Sequence, residues 1–530
     1  MIFLSSHLKR AVSCFLCLLV IFFACGIRVL IVAVDERLAE AATEQSTRRV
    51  SISNLRGTVY DCNGTALTNS STREVTVIFP NESGALAAAR LLEGEELEAA
   101  LEKLRKGTPA VTDKTLKEAL EGTQRLTVPV RYNGSAVHII GYRDGSGHGV
   151  SGIEKGFDGI LYSKGGLSIL YTTDSNGRMI EGLGWSVDED QPCGSVSLTI
   201  DGKLQKIAEQ AMSEVEAGAA VILDAKSGKL RAVVSAPEFS PNKLSASLDA
   251  ENSPFINRAL CGYNVGSVFK PCVAAAALEN GEAEYKYTCT GSITVDGVTF
   301  RCNKWAGHGE MTLQTAIAES CNTYFYTLAL KLGAEKLYNT ANALRFGSSL
   351  DLGGGIVAAG GAVPELKKLE YSSAALINMS IGQGDLMITP VAMACLYAAI
   401  VNGGEYYMPS IVESYTENGE NVSLGATLPT VAMSKKTAEL LKEYLKNALK
   451  NGTGSSAYVE SISAGGKTGT AQTGWKNDGR SILNGWFCGF VEGRSADYVI
   501  VILKEDVKSG SADCAPIFRE ITLEMRALGY

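Results

Sequence analysis

The chain has 530 residues, of which 45% are hydrophobic and 20% are charged, and its formal net charge is −8. This length predicts two or three domains, each large enough to bury a core. The acidic balance argues against a general nucleic-acid-binding protein, which would normally be basic. Four scattered histidines, and no Cys-x-x-Cys motif followed by a second, argue against a histidine-rich metal site and a zinc ribbon.

The N-terminal region predicts a membrane anchor. Basic residues in the tail 1–10 precede an apolar run, residues 11–34, that is long enough to cross a hydrocarbon core of about 30 Å as a helix. The position of the basic flank predicts a cytoplasmic tail and a single-pass protein whose remainder lies outside the cell membrane. A cleaved signal peptide and lipid modification of Cys25 are competing interpretations.

Residues 35–190 are predicted to form a small, β-rich pedestal of the dimerisation type. Its first segment, 35–50, is charged and helix-prone, which indicates a stalk. An Asn-Gly dipeptide within 56–70 predicts a turn between two strands. Residues 84–126 are rich in Ala, Leu, Glu and Lys and predict helix, whereas 127–185 return to short strands with many glycines.

Residues 191–530 are predicted to form a larger α+β domain that begins with a strand and an amphipathic helix. Residues 218–237 predict a β-hairpin, and two apolar runs within 485–506 predict an antiparallel pair. Residues 514–528 predict a closing helix. Because helical sequence separates the early and late strands, we expect one antiparallel sheet with strands from both ends, flanked by helices and joined to a helical subdomain.

The first candidate for chemistry is Ser267, which opens an apolar run with Lys270 three residues later. If the run is helical, both side chains lie on one face, one turn apart. A lysine whose pKa is lowered by burial can take the proton of a serine, and a helix N-terminus favours a developing oxyanion. The same spacing also occurs elsewhere, for example at Ser240 and Lys243, so it is not specific by itself.

A second candidate, Lys467-Thr468-Gly469-Thr470, follows a strand-like pattern. Gly469 would let a substrate approach the strand backbone closely, while Lys467 offers positive charge and the threonines offer hydroxyls. Such an edge suits an extended peptide that ends in a carboxylate. Similar tripeptides occur elsewhere in the chain, so this motif alone is also weak.

The tripeptide Ser320-Cys321-Asn322 lies between these two motifs, and the three motifs in this order are a more specific signal than either motif alone. Ser-x-x-Lys, Ser-x-Asn and Lys-Thr-Gly, in that order, are typical of the penicillin-recognising acyl-serine transferases. More specifically, the sequence resembles a class B penicillin-binding protein. Residues 56–67 and 138–161 resemble elements of the membrane-proximal module of that class.

Blocks of the catalytic domain of that class resemble residues 307–325 and 381–404 of this chain. The chain departs from the class at Cys62, where a basic residue is usual, and in its short pedestal. We expect neither a glycosyltransferase-like domain nor C-terminal repeat modules.

The resemblance implies a role for each motif. Ser267 is the acylated nucleophile and Lys270 its general base. Ser320 relays a proton towards the leaving amine, Lys467 helps to hold that network, and Asn322 hydrogen-bonds the substrate amide and the lysine.

By the same carry-over, Thr468 and Thr470 bind the terminal carboxylate of the substrate, next to Gly469. The backbone N–H groups of Ser267 and Thr470 form the oxyanion hole. These roles are implied by the family rather than by spacing.

The implied reaction is D,D-transpeptidation of peptidoglycan, inhibited by β-lactams. The serine attacks the penultimate D-Ala of a stem peptide, expels the last D-Ala and passes the acyl group to an amine of a neighbouring stem. The class also implies a SEDS-family glycosyltransferase partner. We expect no nucleic-acid partner, no cofactor and no metal. A non-catalytic β-lactam-binding scaffold or sensor and a β-lactamase are the alternatives, and a role in elongation, division or sporulation stays open.

Cys321 is not expected to be the nucleophile, because Ser267 has the lysine partner. Its side chain should point away from the face shared by Ser320 and Asn322 and pack behind the site. A sharper hypothesis is a redox pair with Cys302, whose oxidation outside the membrane would tether the Ser-x-Asn loop and block acylation. Cys289 is a further candidate partner.

Overall fold

The computed structural model describes most of the chain as two compact units. The described residues are 6–35, 45–192, 194–425, 427–477 and 479–530, without the side chains of His7 and Glu181. The smaller unit comprises residues within 1–55, 72–129 and 163–191. The larger unit comprises residues within 56–71, 130–162 and 192–530.

The described residues form 23 strands, numbered in chain order. They are β1 Thr47–Ser53, β2 Val59–Tyr60, β3 Thr68–Ile78, β4 Ala110–Thr112, β5 Thr123–Tyr132, β6 Leu167–Thr172, β7 Trp185–Glu189, β8 Gly194–Leu198, β9 Gly218–Asp224, β10 Leu230–Ala236, β11 Tyr287–Cys289, β12 Ser292–Val295, β13 Val298–Arg301, β14 Gly309–Met311, β15 Leu350–Asp351, β16 Val357–Ala358, β17 Glu405–Tyr406, β18 Val412–Glu417, β19 Glu420–Ser423, β20 Thr430–Val431, β21 Ala464–Asn477, β22 Arg480–Glu492 and β23 Asp497–Lys504.

The described α-helices are α1 Ser6–Val34, α2 Glu82–Leu91, α3 Gly94–Arg105, α4 Val137–Ile140, α5 Gly152–Gly156, α6 Asp158–Leu161, α7 Gly202–Ala211, α8 Ser245–Leu248, α9 Lys270–Glu279, α10 Leu313–Ala318, α11 Asn322–Leu332, α12 Ala334–Ala343, α13 Leu366–Tyr371, α14 Ser373–Ser380, α15 Pro390–Val401, α16 Lys435–Asn451, α17 Gly510–Asp513 and α18 Ala515–Ala527. Short 3-10 turns occur at Glu181–Leu183, Arg258–Leu260, Gly266–Phe269 and Ser455–Ala457.

Helix α1 includes the apolar run that the sequence predicts as an anchor. Among the described residues it is the one helix long and apolar enough to cross a membrane, over Leu8–Val34. Its large side chains are exposed, as expected of a helix that meets lipid rather than a protein core. Most of the predicted stalk, residues 36–44, lies outside the described residues, and Thr47–Ser53 form a strand rather than a helix.

The smaller unit contains two three-stranded sheets, in the orders β1-β6-β7 and β4-β3-β5. The β-rich character predicted for this part of the chain is therefore present. The helix predicted over 84–126 is present only as α2 and α3. The prediction is wrong after Arg105, because Gly107 adopts a φ of +76° and Pro109 precedes the β-branched strand β4.

The larger unit is built on a five-stranded antiparallel sheet in the order β10-β9-β23-β22-β21. Strand β23, from the end of the chain, lies between β9 and β22. The predictions of a β9–β10 hairpin, of a β22–β23 pair and of a sheet joining both ends of the domain are thus confirmed.

Helices cover both faces of this sheet. Along β23, Val499 and Val501 face a core that includes most of α15, whereas Ile500 and Ile502 face a second core with α7 and α18. The alternation follows from the period of two along a strand, and a strand buried on both faces reads as a continuous apolar run.

The two compact units do not meet at one boundary near residue 190, where the sequence predicted it, because each unit contains several separate segments of the chain. Segments 56–71 and 130–162 cluster with the larger unit, although the sequence assigned them to the pedestal. Part of this clustering is the pairing of β2 with β8 in a four-stranded sheet. The domain limits 35–190 and 191–530 themselves stay a prediction.

Candidate active site

Ser267 lies on the 3-10 turn Gly266–Phe269, which leads directly into helix α9. The predicted helical start is therefore present, in a tighter form at the serine. This turn lies against β21, the edge strand of the large sheet.

Two glycines let the turn and the strand approach each other. A Cβ on Gly266, whose φ is +62°, would lie 2.6 Å from the carbonyl oxygen of Thr470. A Cβ on Gly469 would lie 2.8 Å from the carbonyl oxygen of Val265 and 3.0 Å from a methyl carbon of Val268. The sequence pattern predicted that this space at Gly469 serves a substrate, but the structure fills it with the turn that carries Ser267.

Lys270 is fully buried and joins the Ser-x-Asn motif to the turn that carries Ser267. Its Nζ donates to the Ser320 carbonyl oxygen at 2.7 Å, to Ser320 Oγ at 3.1 Å and to Asn322 Oδ1 at 2.7 Å. The contact with Asn322 agrees with the geometry that the family resemblance implies.

Ser320 holds the middle position of this network. Its hydroxyl donates to Ser267 Oγ at 3.0 Å, and its backbone has a φ of +55°, which a serine rarely adopts without tertiary support. Among the described hydrogen bonds none joins Ser267 directly to Lys270. The structure thus places the three groups in the order Lys270, Ser320, Ser267.

Burial sets the protonation of the two lysines. It lowers the pKa of Lys270 to about 7, against a smaller opposing effect of the Cys321 and Cys302 sulfurs. Burial, together with the positive charge of Lys270, holds the pKa of Lys467 well below its usual value. A buried amine near neutral pKa is a competent base, and two adjacent buried ammonium groups would repel each other.

The resemblance implies that Lys467 helps to hold the network around Ser320 but names no direct partner for it. Its Nζ donates to Thr453 Oγ1 and to the Thr468 carbonyl oxygen, both at 3.1 Å. No described hydrogen bond joins it to Ser320, so its direct link to the Ser-x-Asn motif is absent from this structure.

Thr453 is a site residue that the sequence analysis missed. It accepts from Lys467 and, at 2.9 Å, from the Thr468 hydroxyl, and its own N–H donates to the Ala318 carbonyl oxygen at 3.1 Å. It therefore links the Lys-Thr-Gly strand to the segment before Ser320. Its one local signal is an Asn-Gly-Thr-Gly turn after α16, which marks a loop but not these contacts.

The outer part of β21 is accessible. Thr470 is exposed, and its hydroxyl accepts from the Gly510 N–H at 3.1 Å, whereas Thr468 is buried. The Gln383 side chain lies beside this edge, 3.4 Å from the Thr470 carbonyl oxygen and 3.3 Å from the Gln472 N–H. Gln383 was also missed by the sequence analysis, although it lies in a block that resembles the family.

Cys321, between the two polar residues of its motif, is fully buried. Its sulfur lies 3.8 Å from that of Cys302, a contact of two thiols. Cys289 and His308 complete a cluster whose four ligand atoms lie within 4.8 Å of one another. The structure thus brings the candidate redox pair together and places His308 in the same cluster. His308 belongs to neither a paired Cys-x-x-Cys motif nor a histidine-rich stretch, so the sequence pattern did not indicate it.

Comparison with known proteins relates this site to one enzyme family. A sequence profile of the penicillin-binding protein transpeptidase domain matches residues 218–523. Stage V sporulation protein D of Bacillus subtilis is 27% identical over 530 residues, covering 92% of this chain and 80% of that protein. Peptidoglycan D,D-transpeptidase FtsI of Escherichia coli K12 is 27% identical over 439 residues, covering 79% of this chain and 70% of that protein.

Solved structures show the same fold. Penicillin-binding protein 3 of Mycobacterium tuberculosis, complexed with aztreonam, gives a TM-score of 0.66 at 22% identity, with 91% of this chain and 97% of that chain covered. A chain of a peptidoglycan synthase complex, in which polymerization and crosslinking are coordinated, gives 0.67 at 23% identity, with 97% and 98% covered.

Proposed function

Because the chain belongs to the family of penicillin-binding protein transpeptidases, we propose that it is a peptidoglycan D,D-transpeptidase that works through an acyl-enzyme on Ser267. The observation that carries the proposal is the hydrogen-bonded series of Lys270, Ser320 and Ser267 beside strand β21. The relatives named as peptidoglycan D,D-transpeptidases support the reaction class.

In the acylation step, Lys270 acts in its neutral form as the base. It lies one hydroxyl away from Ser267, and hydroxyl protons rotate freely, so reversal of the two hydrogen bonds through Ser320 carries the proton of Ser267 to the amine. Ser267 Oγ then attacks the penultimate D-Ala carbonyl of a stem peptide. The same proton returns through Ser320 to the leaving nitrogen, and the terminal D-Ala departs.

In the second step, an amine of a neighbouring stem attacks the acyl-enzyme, and the base accepts its proton. The crosslink forms as the acyl bond to Ser267 Oγ breaks, and the base returns the proton through Ser320 to that oxygen. Asn322, held by Lys270, is suited to bind the substrate amide, and the N–H groups of Ser267 and Thr470 are suited to bind the oxyanion.

The accessible edge of β21 is suited to bind the donor peptide as an added strand. Thr470 is exposed and is the better candidate for the terminal carboxylate, because the Thr468 hydroxyl is buried and already donates to Thr453. The positive charge that would attract the carboxylate is limited by the lowered pKa of Lys467.

We further propose that α1 anchors the protein in the cell membrane, with the catalytic unit outside. A SEDS-family glycosyltransferase is the partner that the class implies. The likeness in fold to a chain of a peptidoglycan synthase complex is consistent with such an assembly. Photocrosslinking from a reactive residue placed in α1 would identify the neighbour in the membrane.

A fluorescent penicillin tests the proposal. The full-length chain in detergent is expected to form a stable covalent adduct, and Ser267→Ala is expected to abolish it. The matched control is Ser240→Ala, because Ser240 and Lys243 have the same Ser-x-x-Lys spacing outside the candidate site. This variant is expected to label as the wild type does.

The outcome also separates the alternative activities. A wild-type chain that never labels, or a labelled Ser267→Ala variant, overturns the proposal. Rapid release of hydrolysed penicillin identifies a β-lactamase, whereas a stable adduct without crosslinking of stem peptides identifies a scaffold or sensor.

A further inference from the structure

The four residues behind the Ser-x-Asn motif have the composition of a tetrahedral metal site, and their four ligand atoms lie within 4.8 Å of one another. The Cys302 and Cys321 sulfurs are 3.8 Å apart, and His308 Nδ1 lies 3.5 Å from the sulfurs of both Cys289 and Cys302. A zinc ion bound to sulfur at about 2.3 Å and to nitrogen at about 2.0 Å in a tetrahedron requires edges of about 3.5 to 3.8 Å. Among the described residues it is the one such cluster.

The segment that supplies three of these residues has no hydrophobic core of its own. In 287–310 the buried side chains are those of Cys289 and Cys302, and the strands β12 and β13 are largely exposed. Two hairpins without a core are marginal in water. Small units of this kind are usually stabilised by a disulfide or a metal.

The surroundings of the cluster favour thiolates. Cys321 is the N-cap of α11, an eleven-residue helix whose positive end faces the cluster. The Thr323 hydroxyl donates to the Cys289 sulfur at 3.0 Å. Such outer contacts orient metal ligands.

We propose that Cys289, Cys302, His308 and Cys321 bind one structural zinc ion. All four positions are taken by protein, so the ion has no open position for substrate and serves structure rather than chemistry. Three thiolates and one imidazole are typical zinc ligands, and binding releases the thiol protons to solvent.

The ion would act on catalysis through position. Cys321 is flanked in sequence by Ser320 and Asn322, which both accept from Lys270. Zinc at Cys321 ties this loop to the 287–310 segment and supports the positive φ of Ser320. This part of the inference rests on the proposed function, whereas zinc binding does not.

The test is the metal content of the full-length chain, purified in detergent with reductant and without chelator. We expect about one zinc per chain in the wild type and less than a tenth of that in Cys302→Ser. Cys514→Ala, at a buried cysteine far from the cluster in sequence, should keep the full content.

A pair of variants at the half-buried His308 distinguishes the loss of a zinc ligand from the loss of the folded structure. His308→Cys keeps four ligands and should retain zinc, whereas His308→Gln should lose it. Co²⁺ substituted into the wild type should show tetrahedral d–d bands with thiolate charge-transfer absorption. Less than a tenth of a zinc in the wild type, iron in its place, or full zinc in Cys302→Ser would each overturn the site. A Cys302–Cys321 disulfide in protein freshly purified without reductant would also overturn it.

The link to catalysis has a separate readout. Removal of zinc with a chelator is expected to lower penicillin acylation at least tenfold, with recovery on adding Zn²⁺ but not Mg²⁺. Unchanged acylation of zinc-free protein overturns the positioning role. A zinc-loaded wild type that never acylates contradicts the proposed function while leaving the metal site intact.

Discussion

A single methyl group added at residue 469 should push strand β21 away from the turn that carries Ser267. In Gly469→Ala the new Cβ would lie 2.8 Å from the Val265 carbonyl oxygen and 3.0 Å from a methyl carbon of Val268, both on or next to the turn that carries Ser267. Relief of these contacts requires strand β21 and the turn to move apart by roughly half an ångström, because a buried core does not absorb an extra methyl group freely. Ser267 would move relative to Thr470 and its N–H group.

The magnitude follows from this displacement. Overpacking of this kind costs about 1–3 kcal/mol of stability. A misplacement of 1 Å costs a rate of about 10²-fold, so half of that should lower acylation about tenfold. The assay is the second-order rate constant for labelling by a fluorescent penicillin, with the melting temperature measured on the same preparation.

The control is Gly425→Ala, at an exposed glycine of the same unit with no atom near its Cβ position. It should match the wild type in both measurements. If Gly469→Ala acylates within twofold of the wild type and melts at the same temperature, the close approach of strand and turn does not position Ser267, and the prediction is refuted.

Three further changes test the electrostatics and the supporting contacts. Because burial lowers the pKa of Lys270 to about 7, the neutral fraction of Lys270 should rise about tenfold between pH 6 and 8, and the acylation rate should rise with it. Lys270→Arg should remove both the activity and its pH dependence. An acylation rate that does not change with pH would contradict the assignment of Lys270 as the base. Thr453→Val leaves Lys467 without one acceptor and should destabilise the protein by about 1–3 kcal/mol and slow acylation. Thr453→Ser keeps the hydroxyl and should do neither. The rate of penicillin labelling and the melting temperature measure the two effects. Burial raises the pKa of Glu492, but hydrogen bonds, first from Lys442, outweigh it and lower the pKa to about 2. The resulting stability is complete above the unfolded pKa near 4.3 and is lost as the pH falls towards 2. Glu492→Gln should therefore reduce the free energy of unfolding at pH 7 by about 1 kcal/mol after solvent screening, seen as a lower melting temperature, but should have no such effect at pH 2.5.

Local sequence was sufficient for elements whose pattern is set by their own residues. Apolar alternation and turn residues predicted the β9–β10 hairpin and the β22–β23 pair, and length with hydropathy predicted α1. The order of three short motifs predicted which side chains meet, because Ser267, Lys270, Ser320 and Asn322 all come together in the structure.

Tertiary structure decided what local patterns do not contain. Helix propensity predicted a helix after Arg105, but Pro109 and pairing with β3 impose a strand there. The partner of Lys467 is Thr453, which approaches only when the loop after α16 packs beside β21. Gly469 is required by the turn that crosses it rather than by a substrate.

The cysteine cluster shows the same division most clearly. The sequence alone offered Cys302 and Cys321 as a candidate redox pair, because Cys321 lies inside the Ser-x-Asn motif. It did not identify His308, because four residues spread over 289–321 carry no compact spacing motif. Only the packing of two hairpins against the N-terminus of α11 brings the three sulfurs and one ring nitrogen within 4.8 Å of one another. Periodicity and motif order are local properties of the chain, whereas a ligand set exists only after distant segments have folded together.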